Sequence, residues 1–151
     1  MRNALRRFTA VGAAVAATVA IGGAAAAADA ETAALAADGF GFTFTEIAGS
    51  GGAVFANSTT TWGDAAGTVE WRQDPSNGRP GDALTARDLL PDGYGIDGRL
   101  STGRVASTRG HDSPYSETAT GNLPEGNAST MRARVVRGTF ERCSAGYTVS
   151  A

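Results

Sequence analysis

Met131-Arg132-Ala133-Arg134-Val135 is the stretch whose reading decides the fold. Its apolar residues fall at every second position, with arginines between them. Side chains of an extended strand alternate between two faces, so this pattern buries one face and wets the other. A helix would scatter the same residues around its axis. The same period recurs upstream, where Phe40, Phe42 and Phe44 alternate with Gly41, Thr43 and Thr45. It returns where Val69 and Trp71 alternate with Thr68, Glu70 and Arg72, which assigns Trp71 to the core. Downstream, Tyr147 and Val149 alternate with Thr148 and Ser150. Ala53–Ala56, Thr59–Trp62, Leu84–Leu89 and Arg104–Thr108 read as further extended segments. Gly49–Gly52, Asp74–Asp82, Pro91–Gly93 and Asp97-Gly98 read as turns or loops. Seven or eight short strands with turn residues between them predict an all-β chain. The expected architecture is a single antiparallel β-sandwich, Ig-like or jelly-roll-like, over residues 39–151.

The first thirty residues read as an address. Arg2, Arg6 and Arg7 precede a run from Phe8 to Ala28 that carries no charge and is rich in Ala and Val. Ala26-Ala27-Ala28 and Ala28-Asp29-Ala30 follow as small-residue cleavage triplets. A basic start, an apolar run and an A-x-A site describe a secretory signal peptide over residues 1–30. No basic stop-transfer cluster follows, so no membrane association is expected once the signal is removed. Arg6-Arg7 leaves the twin-arginine route open beside the general secretory one. Residues 31–38 read as a flexible lead-in to the domain.

Composition excludes several classes of function. All 13 basic residues are Arg, set against 15 acidic ones, for a net charge of −2. Removal of residues 1–30 would leave ten arginines and fourteen acids, a net charge of −4. That balance argues against nucleic acid as a partner. One His and one Cys exclude His-rich and Cys-rich metal sites.

The stretch Leu84-Thr85-Ala86-Arg87-Asp88, continued by Asp92-Gly93-Tyr94, is followed at a distance by Val136-Arg137-Gly138-Thr139-Phe140-Glu141-Arg142-Cys143. Together these resemble an uncharacterised group of small secreted proteins of Streptomyces-type actinobacteria, over roughly residues 82–151. The resemblance implies a secreted β-sandwich and brings no activity and no catalytic residues. In such sequences a second Cys commonly sits on the strand before the turn and would bridge to the later one. Arg134 occupies about that place here, which leaves Cys143 with no cysteine to bridge to within the chain. Cys143 is then expected either as an unbridged thiol or as the link in a dimer.

Residues with chemistry to offer are few. His111-Asp112-Ser113 holds the three types of a hydrolase triad, yet adjacent residues rarely converge, and a polar turn before Pro114 is the expected reading. Ser50 lacks the spacing of a nucleophile elbow. Nothing in the sequence pairs Glu70, Glu117 or Glu141 across a groove. Asp88, Asp92 and Asp97, and likewise Asp74, Asn77 and Asp82, offer oxygens of the kind that hold Ca²⁺. The same residues are ordinary turn formers, so no metal and no cofactor is expected. Tyr94 and Tyr115 read as lying in Gly/Pro-rich loops and are the candidates for exposed ligand contact, with Trp62 a lesser one. The expected function is a non-catalytic extracellular module that binds a cell-wall glycan, a polymer or a protein. The alternatives are a secreted hydrolase and an inhibitor of an extracellular enzyme, the latter acting through the Asp74–Asp82 loop.

Overall fold

The computed structural model describes residues 40–47, 52–58 and 64–151. In chain order the strands are β1 (Phe42–Ile47), β2 (Ala53–Ser58), β3 (Ala65–Arg72), β4 (Ala83–Asp88), β5 (Gly95–Leu100), β6 (Val105–Ser107), β7 (Tyr115–Ala119), β8 (Ala128–Arg137), β9 (Phe140–Cys143) and β10 (Tyr147–Ser150). No helix occurs among the described residues. β1 to β4 form an antiparallel meander, and β7 pairs with the outer edge of β4. The second sheet runs β6-β5-β8, and β9 and β10 share the far edge of β8. The described residues are therefore all-β, as the alternation predicts, in two antiparallel sheets of five strands each, ten strands against the seven or eight expected.

Positions expected to face inward do so. Met131, Ala133 and Val135 are at most 1% exposed, whereas Arg132 between them is exposed. Phe42, Val69, Trp71 and Leu84 of the first sheet share one cluster with Ile96, Leu100, Met131 and Val135 of the second. The two sheets thus face each other across one core. Trp71 is buried as expected, and its indole N–H donates to the Ser150 carbonyl at 2.7 Å, tying β3 to β10.

Two glycines decide how closely the sheets approach. A Cβ on Gly67 of β3 would run into Ile96 of β5 and into the Arg87 carbonyl. A Cβ on Gly98 of β5 would lie 2.7 Å from Val69 Cγ1 of β3. Each sheet therefore sends one β-branched side chain into the other's glycine. This is why Asp97-Gly98, which the sequence presents as a turn, sits inside β5. Gly98 makes room for Val69, and Asp97 pairs in register with Ser107 and Arg134 on the outer face.

Other expectations need correction. Tyr115 opens β7 instead of lying in a loop. The Asp74–Asp82 loop carries a small bridge: Ser76 and Arg79 exchange backbone hydrogen bonds of 3.1 and 2.9 Å around Asn77-Gly78. Both central residues have positive φ, 50° and 73°, as a tight hairpin turn requires. The signal peptide over residues 1–30, the lead-in over 31–38, the Thr59–Trp62 segment and most of the Gly49–Gly52 turn lie outside the described residues.

From the sequence, Met131–Arg137 and the strand around Tyr147 read as one antiparallel hairpin closed across residues 138–144. The structure divides the returning arm between two strands. β9 pairs with the C-terminal half of β8, from Arg134↔Cys143 to Arg137↔Phe140, after a turn at Gly138 with φ +54°. β10 pairs with the N-terminal half, with Tyr147 opposite Met131. Ser144 holds the two pieces on one edge. Its N–H donates to the Ala133 carbonyl at 2.8 Å, and its hydroxyl accepts the Ala133 N–H at 3.0 Å.

Directly opposed residues of an antiparallel pair have Cα atoms about 4.5 or 5.5 Å apart, and a disulfide spans about 4.4–6.8 Å. Arg134→Cys should therefore bridge to Cys143 under oxidising conditions. The closed loop is short, so the gain in stability stays below about 3 kcal/mol. Mass spectrometry after thiol alkylation, with thermal melting of oxidised and reduced protein, checks this. Two alkylated thiols after oxidation would show that the register is wrong.

Candidate functional site

Two connections meet at one end of the molecule, and most residues with unusual environments lie on them. One is the β4–β5 connection, Leu89 to Tyr94. The other is the β6–β7 connection, Thr108 to Pro114. β4 and β7 are paired with Asp88 opposite Tyr115, which brings the two connections side by side.

Asp88 is the last residue of β4 and lies opposite Gly67, on the core side of its sheet. It is 2% exposed. The Ser113 hydroxyl and the Leu90 N–H donate to it, while its Oδ1 is buried with no hydrogen-bond partner. Burial, the largest cause, pushes its carboxyl above the ordinary Asp value, and the nearby Asp92 charge pushes the same way. The two hydrogen bonds only partly oppose this. Asp92 accepts the Tyr94 N–H at 2.9 Å, which folds the Asp92-Gly93-Tyr94 corner. Gly93 takes φ +79° there, a conformation that suits glycine.

That corner sends Tyr94 inward. Tyr94 is 4% exposed, so it cannot make the exposed contact expected of it. Its ring lies edge-on to Phe42 and Phe140, with centroids 4.9 and 5.4 Å away. The Arg137 guanidinium stands 4.9 Å from the ring centroid. Tyr115 remains half-buried, and His111 stacks on it with centroids 3.8 Å apart and planes 7° from parallel. His111 is exposed, and its N–H donates to the Thr108 carbonyl at 3.2 Å. The Tyr115 hydroxyl donates to Glu117 at 3.2 Å. Partial removal from water, and then the Glu117 carboxylate, hold the phenol above its ordinary value.

The structure separates the other sequence candidates. Ser113 turns to Asp88 while His111 stacks on Tyr115, so the two serve different partners. Glu70 joins Arg72 and Arg87 on the first sheet, Glu117 joins Tyr115, and Glu141 joins Arg134 on the second sheet. Asp97 leaves the Asp88–Asp92 pair for an arginine cluster on the second sheet. Asp82 accepts the Leu123 N–H at 2.9 Å, and its own carbonyl accepts from Arg104. Among the described residues, no three His, Cys, Asp or Glu side chains gather as metal ligands. Trp62 lies outside the described residues. Cys143 is half-buried beside Glu141, with Sγ 3.3 Å from Oε1. The Asp88–Ser113 contact was not legible in the sequence, because it depends on β4 pairing with β7. No family model, curated protein or solved structure matches the chain.

Asp88 gives a pH dependence with a definite sign. Its folded pKa lies above the ordinary 3.8, so the folded chain holds that proton more tightly than the unfolded chain does. The stability that Asp88 contributes is fully present below 3.8 and is lost as pH rises through the folded value. Asp88→Asn keeps an acceptor for Ser113 and Leu90 and removes the charge. It should raise the urea midpoint at neutral pH and lose that advantage below 3.8. A variant that is less stable than wild type at neutral pH, with the deficit closing in acid, would contradict this environment for Asp88.

Proposed function

We propose that the chain is exported and acts outside the cell as a non-catalytic binding module for a glycan. The observation that carries this is the stacked His111–Tyr115 pair, whose outer ring faces are left to a ligand, with Tyr115 on β7 opposite Asp88 and its neighbour Asp92. Flat rings offer apolar faces on which the C–H face of a sugar can lie, and carboxylates accept its hydroxyls. Loops carried by a packed sheet scaffold suit such contacts. The signal-like pattern over residues 1–30 and the resemblance over residues 82–151 support export. The pair of facing sheets supports reading the domain as a β-sandwich. Its in-line β1-β2-β3-β4 order favours a meander over the paired Greek keys of a jelly roll.

A binding role suits this site better than a catalytic one. A general acid must reach the proton it transfers, and Asp88 is 2% exposed. The carboxyl with the raised pKa is therefore the one that substrate cannot touch. It braces the loop through Ser113, and the groups beside it are the exposed His111 stacked on half-buried Tyr115, and a turn.

Titration calorimetry with soluble cell-wall oligosaccharides tests the reading. Removing one stacking ring should cost about 1 kcal/mol, so His111→Ala should weaken binding about fivefold while leaving the fold intact. Tyr115→Ala should lose at least as much. Wild-type affinity in both variants, or no glycan bound by the wild type, would overturn the reading.

A further inference from the structure

The outer face of the second sheet has the opposite charge to the chain as a whole. β6, β5, β8 and β9 lie side by side there, and cross-strand register sets out their outward residues in rows. Ser107, Asp97, Arg134 and Cys143 form one row. Val105, Arg99 and Arg132 form the next. Arg109, just past β6, reaches back over the face to Asp97 and to the Gly138 carbonyl. Four arginines thus meet two acids, Asp97 and Glu141, on a chain whose net charge is −2.

Two features set this face apart from an ordinary solvated one. First, Arg99 stands directly opposite Arg132. Like charges in opposed positions work against strand pairing, so the fold gains nothing from that placement. Second, the arginines are pre-oriented from below. Asp97 is 1% exposed and accepts from Ser107 at 2.5 Å, from Arg99 at 3.5 Å and from Arg109 at 3.5 Å. Arg132 donates to the Ser144 carbonyl at 3.1 Å, and Arg134 to Glu141 at 2.8 Å. A guanidinium has five N–H donors. Arg99 and Arg132 each have one of these engaged and keep the rest, and the Arg99 side chain is 44% exposed.

We infer that this face docks a linear phosphate polymer. Guanidinium forks match phosphate oxygens in pairs, and forks already held in place lose less freedom on binding. An acidic protein would want an aromatic or apolar anchor at the centre of its footprint. Val105 is the one large apolar residue exposed on this face among the described residues. By register no aromatic side chain points outward from β5, β6, β8 or β9 to stack on a nucleobase, so recognition stops at the phosphates. Arg109 lies on the connection that also carries His111, but Arg99 and Arg132, the residues tested, lie on β5 and β8, so their test is independent of glycan binding.

The test is calorimetry of the full chain with inorganic polyphosphate at several salt concentrations, with poly-L-glutamate as the carboxylate counterpart. The wild type should bind polyphosphate more tightly than polyglutamate. Arg99→Ser with Arg132→Ser should weaken polyphosphate binding at least about tenfold and flatten the log–log salt slope by about 1.4, the loss of two phosphate contacts. The double variant should melt no lower than wild type, because the opposed charges are gone. Should it melt lower, Arg99→Lys with Arg132→Lys replaces it, and is expected to keep the salt slope but lose the preference over polyglutamate. Arg87→Ser, on the first sheet, should bind as wild type does. Unchanged polyphosphate binding in the Arg99/Arg132 variants, or a wild type that binds polyglutamate as tightly or polyphosphate not at all, overturns the inference.

Discussion

Two glycines on facing strands hold the sheets together by what they lack. Gly67 on β3 receives Ile96 from β5, and Gly98 on β5 receives Val69 from β3. Stacked sheets ordinarily stand about 10 Å apart, with side chains from both filling the gap. Much of this core is small: Ala56, Ala66, Ala86, Ala106 and Ala133 all belong to it. Alanines cannot fill an ordinary gap, so the sheets must approach closely where the glycines allow it. Ile96 and Val69 then become 1% and 0% exposed, and Leu84, Trp71 and Met131 close around them. At one end the rings of Phe42, Tyr94 and Phe140 continue the core. At the other, the Trp71 indole N–H and the Gln73 amide reach the final residues, Ser150 and Ala151.

This close approach places the polar groups as well. β5 is central to the second sheet. Because Gly98 and Ile96 face inward, Asp97 and Arg99 must face outward, where β8 sets Arg134 and Arg132 beside them. Gly67 lies opposite Asp88, so the end of β4 is drawn into the core and its carboxylate is buried with it. The two outward surfaces with chemistry to offer, the loop end and the arginine face, are consequences of one strand register.

Where a residue's neighbours in sequence decide its fate, the fold was legible. Met131, Ala133 and Val135 alternate with arginines that must stay wet, and Trp71 shares a face with Val69. Where the deciding neighbour lies far along the chain, the local sequence misleads. Asp97-Gly98 has the composition of a turn, but Val69 of β3 requires the glycine and Ser107 and Arg134 receive the aspartate. Tyr94 sits among Gly and Pro and reads as exposed, yet the Asp92 corner aims its ring at Phe42 and Phe140. Of the candidate site, Tyr115 reads as a loop residue, whereas it opens β7 because that strand pairs with β4. Its partner His111 reads as part of a polar turn, and Gly110 before it takes φ +80°. The arginines of β8 were visible as a wet face, but Arg99 joins them only once β5 and β8 are paired.

The reciprocal glycine packing is tested most directly by a double-mutant cycle between Gly98→Ala and Val69→Ala, read by urea unfolding. Gly98→Ala alone forces a methyl against Val69 Cγ1 and should destabilise by about 1–3 kcal/mol. Val69→Ala removes that methyl's obstacle and, alone, destabilises through lost burial. If Val69 fills the space over Gly98, the double variant is more stable than the sum of the two changes allows, by at least about 1 kcal/mol. Additivity within about 0.5 kcal/mol would mean that Val69 does not fill the space over Gly98, and would contradict the account.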